Sequence, residues 1–325
     1  MEGCKISKIL ICGLGSIGKR HFRVLKRLYP FMKIGALRSG YGLESKESNS
    51  VDITFSSLDE SIKWSPNAAI IASPAPYHLA TAIRLARSGI PLLIEKPIGT
   101  GFESTDLWNE LLAISQDLPI LIGYVFRHDK CLSKVINLLN SNLIGNPVEL
   151  DIYCGSWLPD WRPNQDYKTS VSSCKRLGGG VLLELSHEID LAFRLFSDLQ
   201  LESCLLSLSR NLEIDVEDNA VLVLRSSRCQ SIVIRINFCT TPPKRFLSVR
   251  GTSGEISWNL AQNFVSLHSR QLDTVFHSHE VIDDLYFKQI KHFFACIEGQ
   301  ESVMCTVEDG LKVISLIAQA KSISS

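Results

Sequence analysis

The chain has 325 residues, 45% of them hydrophobic and 21% charged, a usage that excludes disorder and leaves room for two domains with real cores. Its 34 Lys and Arg balance 34 Asp and Glu, and zero formal charge argues against nucleic acid or an anionic membrane as a partner held by bulk attraction. The 10 cysteines are scattered without a C-x-x-C pair, which predicts reduced thiols in a cytoplasmic protein and not a zinc ribbon or a disulfide framework.

The apolar run at the amino end, Ile9 to Cys12, is too short for a signal peptide or a membrane span. From Lys8 to about residue 123, short apolar runs alternate with helix-like stretches, the pattern of a parallel sheet with crossover helices. Strands are predicted at Ile9–Cys12, Lys33–Leu37, Ala68–Ala72, Leu92–Glu95 and Ile120–Gly123. After the first, Ile17, Val24, Leu25 and Leu28 recur at helical spacing, with Lys19, Arg20, Arg23, Lys26 and Arg27 on a solvated face. A helix from about Tyr77 to Ser88 stops at Gly89, with Pro91 beyond it.

The grammar changes near residue 125. A helix over about 129–140 leads into an alternating strand through Val148, Leu150, Ile152 and Cys154. A loop rich in polar and aromatic residues follows, then a helix opening after the glycines at 178–180. Consecutive strands are predicted at 201–209, 220–225, 231–238, 246–250 and 255–259, and helices over about 285–297 and 307–320. Strand after strand without intervening helices implies a mostly antiparallel sheet. The predicted fold is therefore α/β: a Rossmann-type doubly wound domain over 1–124 and an open-sheet α+β domain over 125–325, whose last helix could pack back on the first.

Three motifs carry chemistry. Gly13-Leu-Gly15-Ser16-Ile17-Gly18 joins a strand to a helix, where a tight turn, close backbone approach and close packing suit a dinucleotide pyrophosphate at the helix start. At the end of the second strand, Leu37-Arg38-Ser39 holds no carboxylate for a ribose 2′-hydroxyl, and Arg38 would accommodate a 2′-phosphate; NADP is the expected cofactor, with NAD the alternative. Ser73 and Pro74 end a later strand and could line the nicotinamide ribose, and His78 follows in the first helical turn, as a cofactor contact or as a packed or capping residue.

Leu92-Leu-Ile-Glu95-Lys96-Pro97 ends another strand, and Pro97 keeps Lys96 out of the helical region. A charged pair there suits Glu95 accepting from a ribose hydroxyl and Lys96 donating to a substrate oxygen; a surface salt bridge is the plainer reading. In the third motif Glu184, His187 and Asp190 fall at i, i+3 and i+6 on a helix after Gly178-Gly-Gly180. That arrangement suits an imidazole acid/base beside carboxylates, a metal set lacking an evident fourth ligand, or a structural polar face. His277-x-His279 is a weaker metal pair, and no metal is expected.

With these elements in this order, the chain resembles the Gfo/Idh/MocA oxidoreductases, from Lys8 to the terminal helices. The resemblance implies a cofactor domain, a sheet domain joining copies into a homodimer or homotetramer, and reversible NAD(P)-dependent oxidation of a sugar or polyol hydroxyl. It also implies that Lys96 and His187 flank the reacting carbinol, with His187 carrying the proton. Gly123-Tyr124-x-x-Arg127 is similar to the family segment that opens the second domain and lines the substrate pocket. The chain departs from the pattern where Glu184 stands three residues before His187 instead of an aspartate four before, and where Ala75 replaces a common asparagine.

Trp161 and Arg162, with Lys175-Arg176, add stacking surface and cations, and predict an anionic or nucleotide-linked sugar. Lys175 and Asp190 complete the expected substrate contacts. Two alternatives remain: a cofactor-sensing regulator without catalysis, against which the retained Lys96 and His187 argue, and a reductase of a non-sugar ketone or imine.

Overall fold

A computed structural model describes residues 6–40, 44–163 and 165–323. The described residues within 1–125 and 282–312 form one compact unit, and those within 126–281 and 313–325 form another. In chain order the elements of the first half are β1 (Lys8–Cys12), α1 (Ser16–Leu28), β2 (Lys33–Leu37), β3 (Ile53–Phe55), α2 (Leu58–Lys63), β4 (Ala68–Ile71), α3 (His78–Arg87), β5 (Leu92–Ile94), α4 (Thr105–Ile114) and β6 (Ile120–Ile122). Then come α5 (Lys130–Asn140), β7 (Pro147–Gly155), α6 (Val181–Glu184), α7 (His187–Leu195), β8 (Gln200–Ser207), β9 (Asn219–Ser226), β10 (Cys229–Asn237) and β11 (Lys244–Gly251). The chain closes with β12 (Gly254–Asn259), β13 (Phe264–Ser269), β14 (Asp273–His277), α8 (Ile282–Ile297) and α9 (Val307–Ile323).

In the first unit six parallel strands lie in the order β3-β2-β1-β4-β5-β6. Their runs are apolar without alternation because both faces are covered: Ile9, Leu10, Ile11, Ile70 and Leu93 have no exposed surface. β1 is flanked by β2 on one side and β4 on the other, so the strand order reverses there, and crevices at the carboxyl ends of such strands take ligands. β3 escapes sequence reading because it is a three-residue edge strand with Ile53 and Thr54 exposed.

The predicted single cut after residue 124 does not describe this unit, since 282–312 belongs to it. Two kinds of contact bring that segment in. α8 lays Tyr286, Phe287 and Phe294 on α1 and Tyr29, with Arg20 and Arg27 stacked over Tyr286 and Phe287. Beyond α8, the N–H of Ile122 donates to the carbonyl of Cys305 at 3.0 Å.

The second unit is an eight-stranded sheet in the order β14-β13-β12-β11-β7-β10-β9-β8. Only β7 and β10 run parallel; every other neighbouring pair is antiparallel. Alternation now places one face inward: Leu222, Leu224, Ile232, Ile234, Leu247, Val249 and Ile256 are buried, while Leu205, Val223 and Val275 are exposed. α5 packs on β12, β13 and β14, α6 on β9 and β10, and α7 on β7. β13 and β14 were not predicted, because β14 alternates exposed and half-buried residues at the sheet edge, and His277 is its last residue. Among the described residues no helix is long and apolar enough to cross a membrane.

Candidate active site

In the first unit the site grows from the turn after β1. Gly13 has φ +95°, and a Cβ there would meet the backbone of Ala72 and Ser73 at 2.9 Å. Gly18 is fixed more tightly, since a Cβ would lie 2.0 Å from the Gly13 carbonyl oxygen and push α1 off the turn. Gly15 differs: its φ is −69° and a Cβ would meet nothing within 4 Å. The protein itself therefore does not require glycine at 15; what its absence of side chain preserves is open space over the loop.

That space faces the first turn of α1, which holds no acidic residue and no side-chain cap, and where Ser16 is exposed and Ile17 half-buried. Helix N–H groups and the positive end of the helix dipole favour an anion there. The Ser73 hydroxyl, beside Gly13, is buried without a hydrogen-bond partner. An open glycine cradle and an orphaned hydroxyl fit a dinucleotide.

Main-chain hydrogen bonds carry the sheet past its strands and line up the motifs along its carboxyl edge. Gly13 donates to Leu37, Ala72 to Cys12, Glu95 to Ile71 and Gly123 to Ile94, over 2.7–2.9 Å. The glycine turn, Ser73-Pro74, Glu95-Lys96-Pro97 and Gly123 thus stand on successive strands of one edge. Lys96 is half-buried, and its bond to Pro97 is cis. Arg38 is half-buried just beyond β2, its N–H donating to Phe55 at 3.0 Å, with Ser39 exposed beside it.

Two residues expected at the cofactor are turned inward. Glu95 is 4% exposed, and its carboxylate meets Nε2 of the fully buried His21 at 2.6 Å. The ribose contact expected of Glu95 is replaced by this internal pair, because the carboxylate lies under Gly123, where a Cβ would come within 3.0 Å of it. His78 is 1% exposed, with Nδ1 2.9 Å from the Pro97 carbonyl oxygen and Nε2 2.6 Å from that of Ser73. Both ring nitrogens are taken by backbone, so the polar atoms of His78 brace the edge and are not turned toward a cofactor. Burial pushes its pKa down, while the two carbonyls, which can only accept, pull it back up.

In the second unit the glycines make a turn, with Gly178 and Gly180 at φ +77° and +107°, and a Cβ on Gly180 would strike the Glu217 carboxylate. The predicted continuous helix then breaks. α6 ends at Glu184, Leu185 adopts φ −100° and ψ 31°, and α7 starts anew at His187. Glu184, His187 and Asp190 therefore do not share one helical face. Among the described residues no three His, Cys, Asp or Glu side chains are grouped as metal ligands would be.

Asp190 instead pairs with Arg127, whose Nη2 donates at 2.5 Å and Nε at 3.1 Å to its carboxylate, with side chains 1% and 2% exposed. This corrects the substrate roles expected for both residues, since each satisfies the other's buried charge.

His187 and Glu184 are half-buried. The His187 ring sits edge-on to Phe126, centroids 5.0 Å apart, and the Arg245 guanidinium covers Phe126 at 4.2 Å. Nε of Arg245 also donates to the fully buried Glu188 at 2.6 Å. Trp161 donates from Nε1 to the Ser156 hydroxyl at 2.7 Å and meets Phe238 edge-on. Trp161 and Arg162 share a shallow hollow with Leu158, Pro159, Gln165, Tyr167 and Ser170. Lys175 is exposed, is not among the residues lining the hollow, and is held by its N–H to Asp215.

His21, Phe126, Glu188 and Arg245 were not anticipated. His21 was findable: it falls four residues after Ile17 and three before Val24, on the apolar face of a helix, where a histidine needs a buried partner.

A parallel sheet with a glycine turn at its switch point, followed by a unit built on an open sheet, defines a two-unit dinucleotide-binding protein. The chain belongs to the Gfo/Idh/MocA oxidoreductase family. A family model described as an oxidoreductase family with an NAD-binding Rossmann fold matches residues 7–119, and one for the family's C-terminal domain matches 132–257. An oxidoreductase P35 of Formosa agariphila is 23% identical over 258 residues, 77% of each chain. The fold is similar to that of a levoglucosan dehydrogenase solved with NADH and levoglucosan, at TM-score 0.82 and 17% identity over 98% of each chain. It is also similar to a UDP-N-acetylglucosamine 3-dehydrogenase of Acidithiobacillus ferrooxidans, at TM-score 0.76 and 17% identity over 98% of this chain and 97% of that one.

Proposed function

We propose that this oxidoreductase interconverts a carbinol and a ketone on a sugar, sugar derivative or polyol, with NADP preferred over NAD. The observation that carries the reading is the carboxyl edge of the parallel sheet, where hydrogen bonds align the open glycine turn, Ser73-Pro74 and Lys96 on neighbouring strands. A bound nicotinamide dinucleotide would supply hydride acceptance and donation. Gly13, Gly15, Ser16, Ile17 and Gly18 would hold its pyrophosphate through backbone N–H groups, and Ser73 and Pro74 would line its ribose.

The remaining chemistry falls to side chains. The Lys96 ammonium stabilises negative charge on the carbinol oxygen, and the His187 imidazole takes the hydroxyl proton in oxidation or returns it in reduction. Glu184 is the carboxylate that would set the state of His187. Trp161 and Arg162 adjoin in the chain, and an aromatic ring beside a guanidinium suits a substrate with a stacking ring and an anionic group, with Lys175 adding positive charge nearby in sequence. The related structures act on an anhydrosugar and a nucleotide-linked amino sugar, both carrying CH–OH groups.

The test is a panel of sugars, sugar nucleotides and polyols followed by nicotinamide absorbance with each cofactor. We expect turnover on at least one anionic or nucleotide-linked sugar. Exclusive activity on neutral polyols would defeat the substrate reading, and tight cofactor binding without any turnover would favour a regulator. In the active assay, Lys96→Met and His187→Ala each lower kcat by roughly 10²–10⁴-fold while cofactor binding survives. Unchanged kcat in both refutes the assignment.

A further inference from the structure

We propose that His21 and His78 are positioning residues that clamp Glu95-Lys96-Pro97 from its two ends and so aim the Lys96 ammonium. The proposal rests on Lys96 having the role given above. On one side, His21 Nε2 meets Glu95 Oε1 at 2.6 Å. On the other, His78 Nδ1 meets the Pro97 carbonyl oxygen at 2.9 Å. The residue between these anchors is Lys96.

Each anchor is itself tied to a segment that would face the cofactor. His21 is three residues beyond Gly18 on α1, the helix whose first turn borders the glycine cradle, and its ring is seated edge-on against Tyr286 with centroids 5.5 Å apart. His78 opens α3 and reaches back with Nε2 to the Ser73 carbonyl at 2.6 Å, on the turn whose hydroxyl is orphaned. Helix α1 and the turns after β4 and β5 are thereby joined by two buried imidazoles. Both rings are essentially without solvent exposure, so neither can touch substrate. Both bond to the residues on either side of Lys96, so a small displacement of either ring moves the Lys96 backbone. Reactions governed by orientation lose roughly a hundredfold in rate from displacements near 1 Å.

A double-mutant cycle tests the clamp. His21→Leu and His78→Leu remove the hydrogen bonds at similar volume, and His21→Gln and His78→Gln keep a donor in case the leucine variants fail to fold. Each is made with Lys96 intact and in a Lys96→Ala background, and kcat is measured with the substrate found in the panel. We expect each leucine variant to lower kcat roughly 10- to 100-fold with Lys96 present and by no more than about twofold once Lys96 is gone. The glutamine variants should recover part of the loss, and NADPH affinity by fluorescence should stay within a few-fold.

A second readout needs no turnover. After reductive ¹³C-methylation, the Lys96 resonance, identified by its absence in Lys96→Ala, should shift toward that of a mobile surface lysine in either histidine variant. Equal losses in both backgrounds, or an unmoved Lys96 resonance, would overturn the clamp while leaving the role of Lys96 intact. An unchanged kcat in Lys96→Ala alone would instead defeat the role of Lys96, and the clamp with it.

Discussion

Arg127 and Asp190 show how one buried contact decides between a binding and a structural role. Removing one member of such a pair leaves an unpaired charge in the interior and costs about 3–5 kcal/mol. Asp190→Ala should therefore lower the unfolding free energy by about that amount. A substrate contact would instead raise KM and leave the denaturation midpoint in place. Chemical denaturation alongside Michaelis kinetics separates the two. Arg38 is a half-buried cation just beyond β2, and no carboxylate stands from Leu37 to Gly40. Arg38→Ala should weaken NADPH binding roughly 10- to 100-fold, as loss of a charge-assisted hydrogen bond does, and leave NADH within about twofold. Equal weakening of both would sink the NADP preference. The sequence proposes Arg38, Lys96 and His187 from position alone, since a strand or helix end is legible from pattern. It could not reveal that Glu95, Arg127 and Asp190 face protein groups, because their partners lie 74 and 63 residues away in the chain, nor that His78 spans from the nearby Ser73 to Pro97, 19 residues on.

At the scale of elements, apolar periodicity placed the parallel strands to within a residue or two and missed β3, β13 and β14. Those three are edge or near-edge strands, where a short run or polar alternation leaves little hydrophobic signal. The helix after Gly180 was misread for a different reason. Its residues suit a helix throughout, and the break at Leu185 is a backbone event that composition does not encode. The α1 turn, by contrast, is written in glycine. Gly18→Ala would force a Cβ to within 2.0 Å of the Gly13 carbonyl oxygen, so we expect lost stability together with cofactor affinity reduced well over tenfold, read by thermal melts and fluorescence titration. Gly15→Ala, with nothing within 4 Å of its Cβ, should keep its melting temperature and still lose affinity. A normal affinity for Gly15→Ala would show that the open space there serves no ligand.

Across the molecule, every described cysteine is a free thiol, and several are deeply buried. Desolvation pushes Cys12, Cys131 and Cys154 up to about 12 and Cys296 to about 11, from an ordinary value of 9.0. Because the folded values lie above the unfolded ones, the stability these neutral thiols contribute is complete below about pH 9 and is lost as pH rises toward the folded values. The melting temperature should therefore fall between pH 9 and 11 more steeply than in a variant carrying Cys12→Ala and Cys154→Ala. Matching slopes would contradict the burial account. Association of copies through the eight-stranded sheet is the remaining proposal at this scale, and a light-scattering mass equal to one chain would end it.

The return of 282–312 to the first unit also has a consequence for biosynthesis. A ribosome releases residues 1–125 long before it has made the helix that covers α1 or the Cys305 carbonyl that receives the Ile122 N–H. The dinucleotide half of the molecule is thus begun first but completed only after most of the second unit has been made. Until translation reaches that segment, the nascent chain lacks the aromatic cover of α1 and the acceptor for the Ile122 N–H.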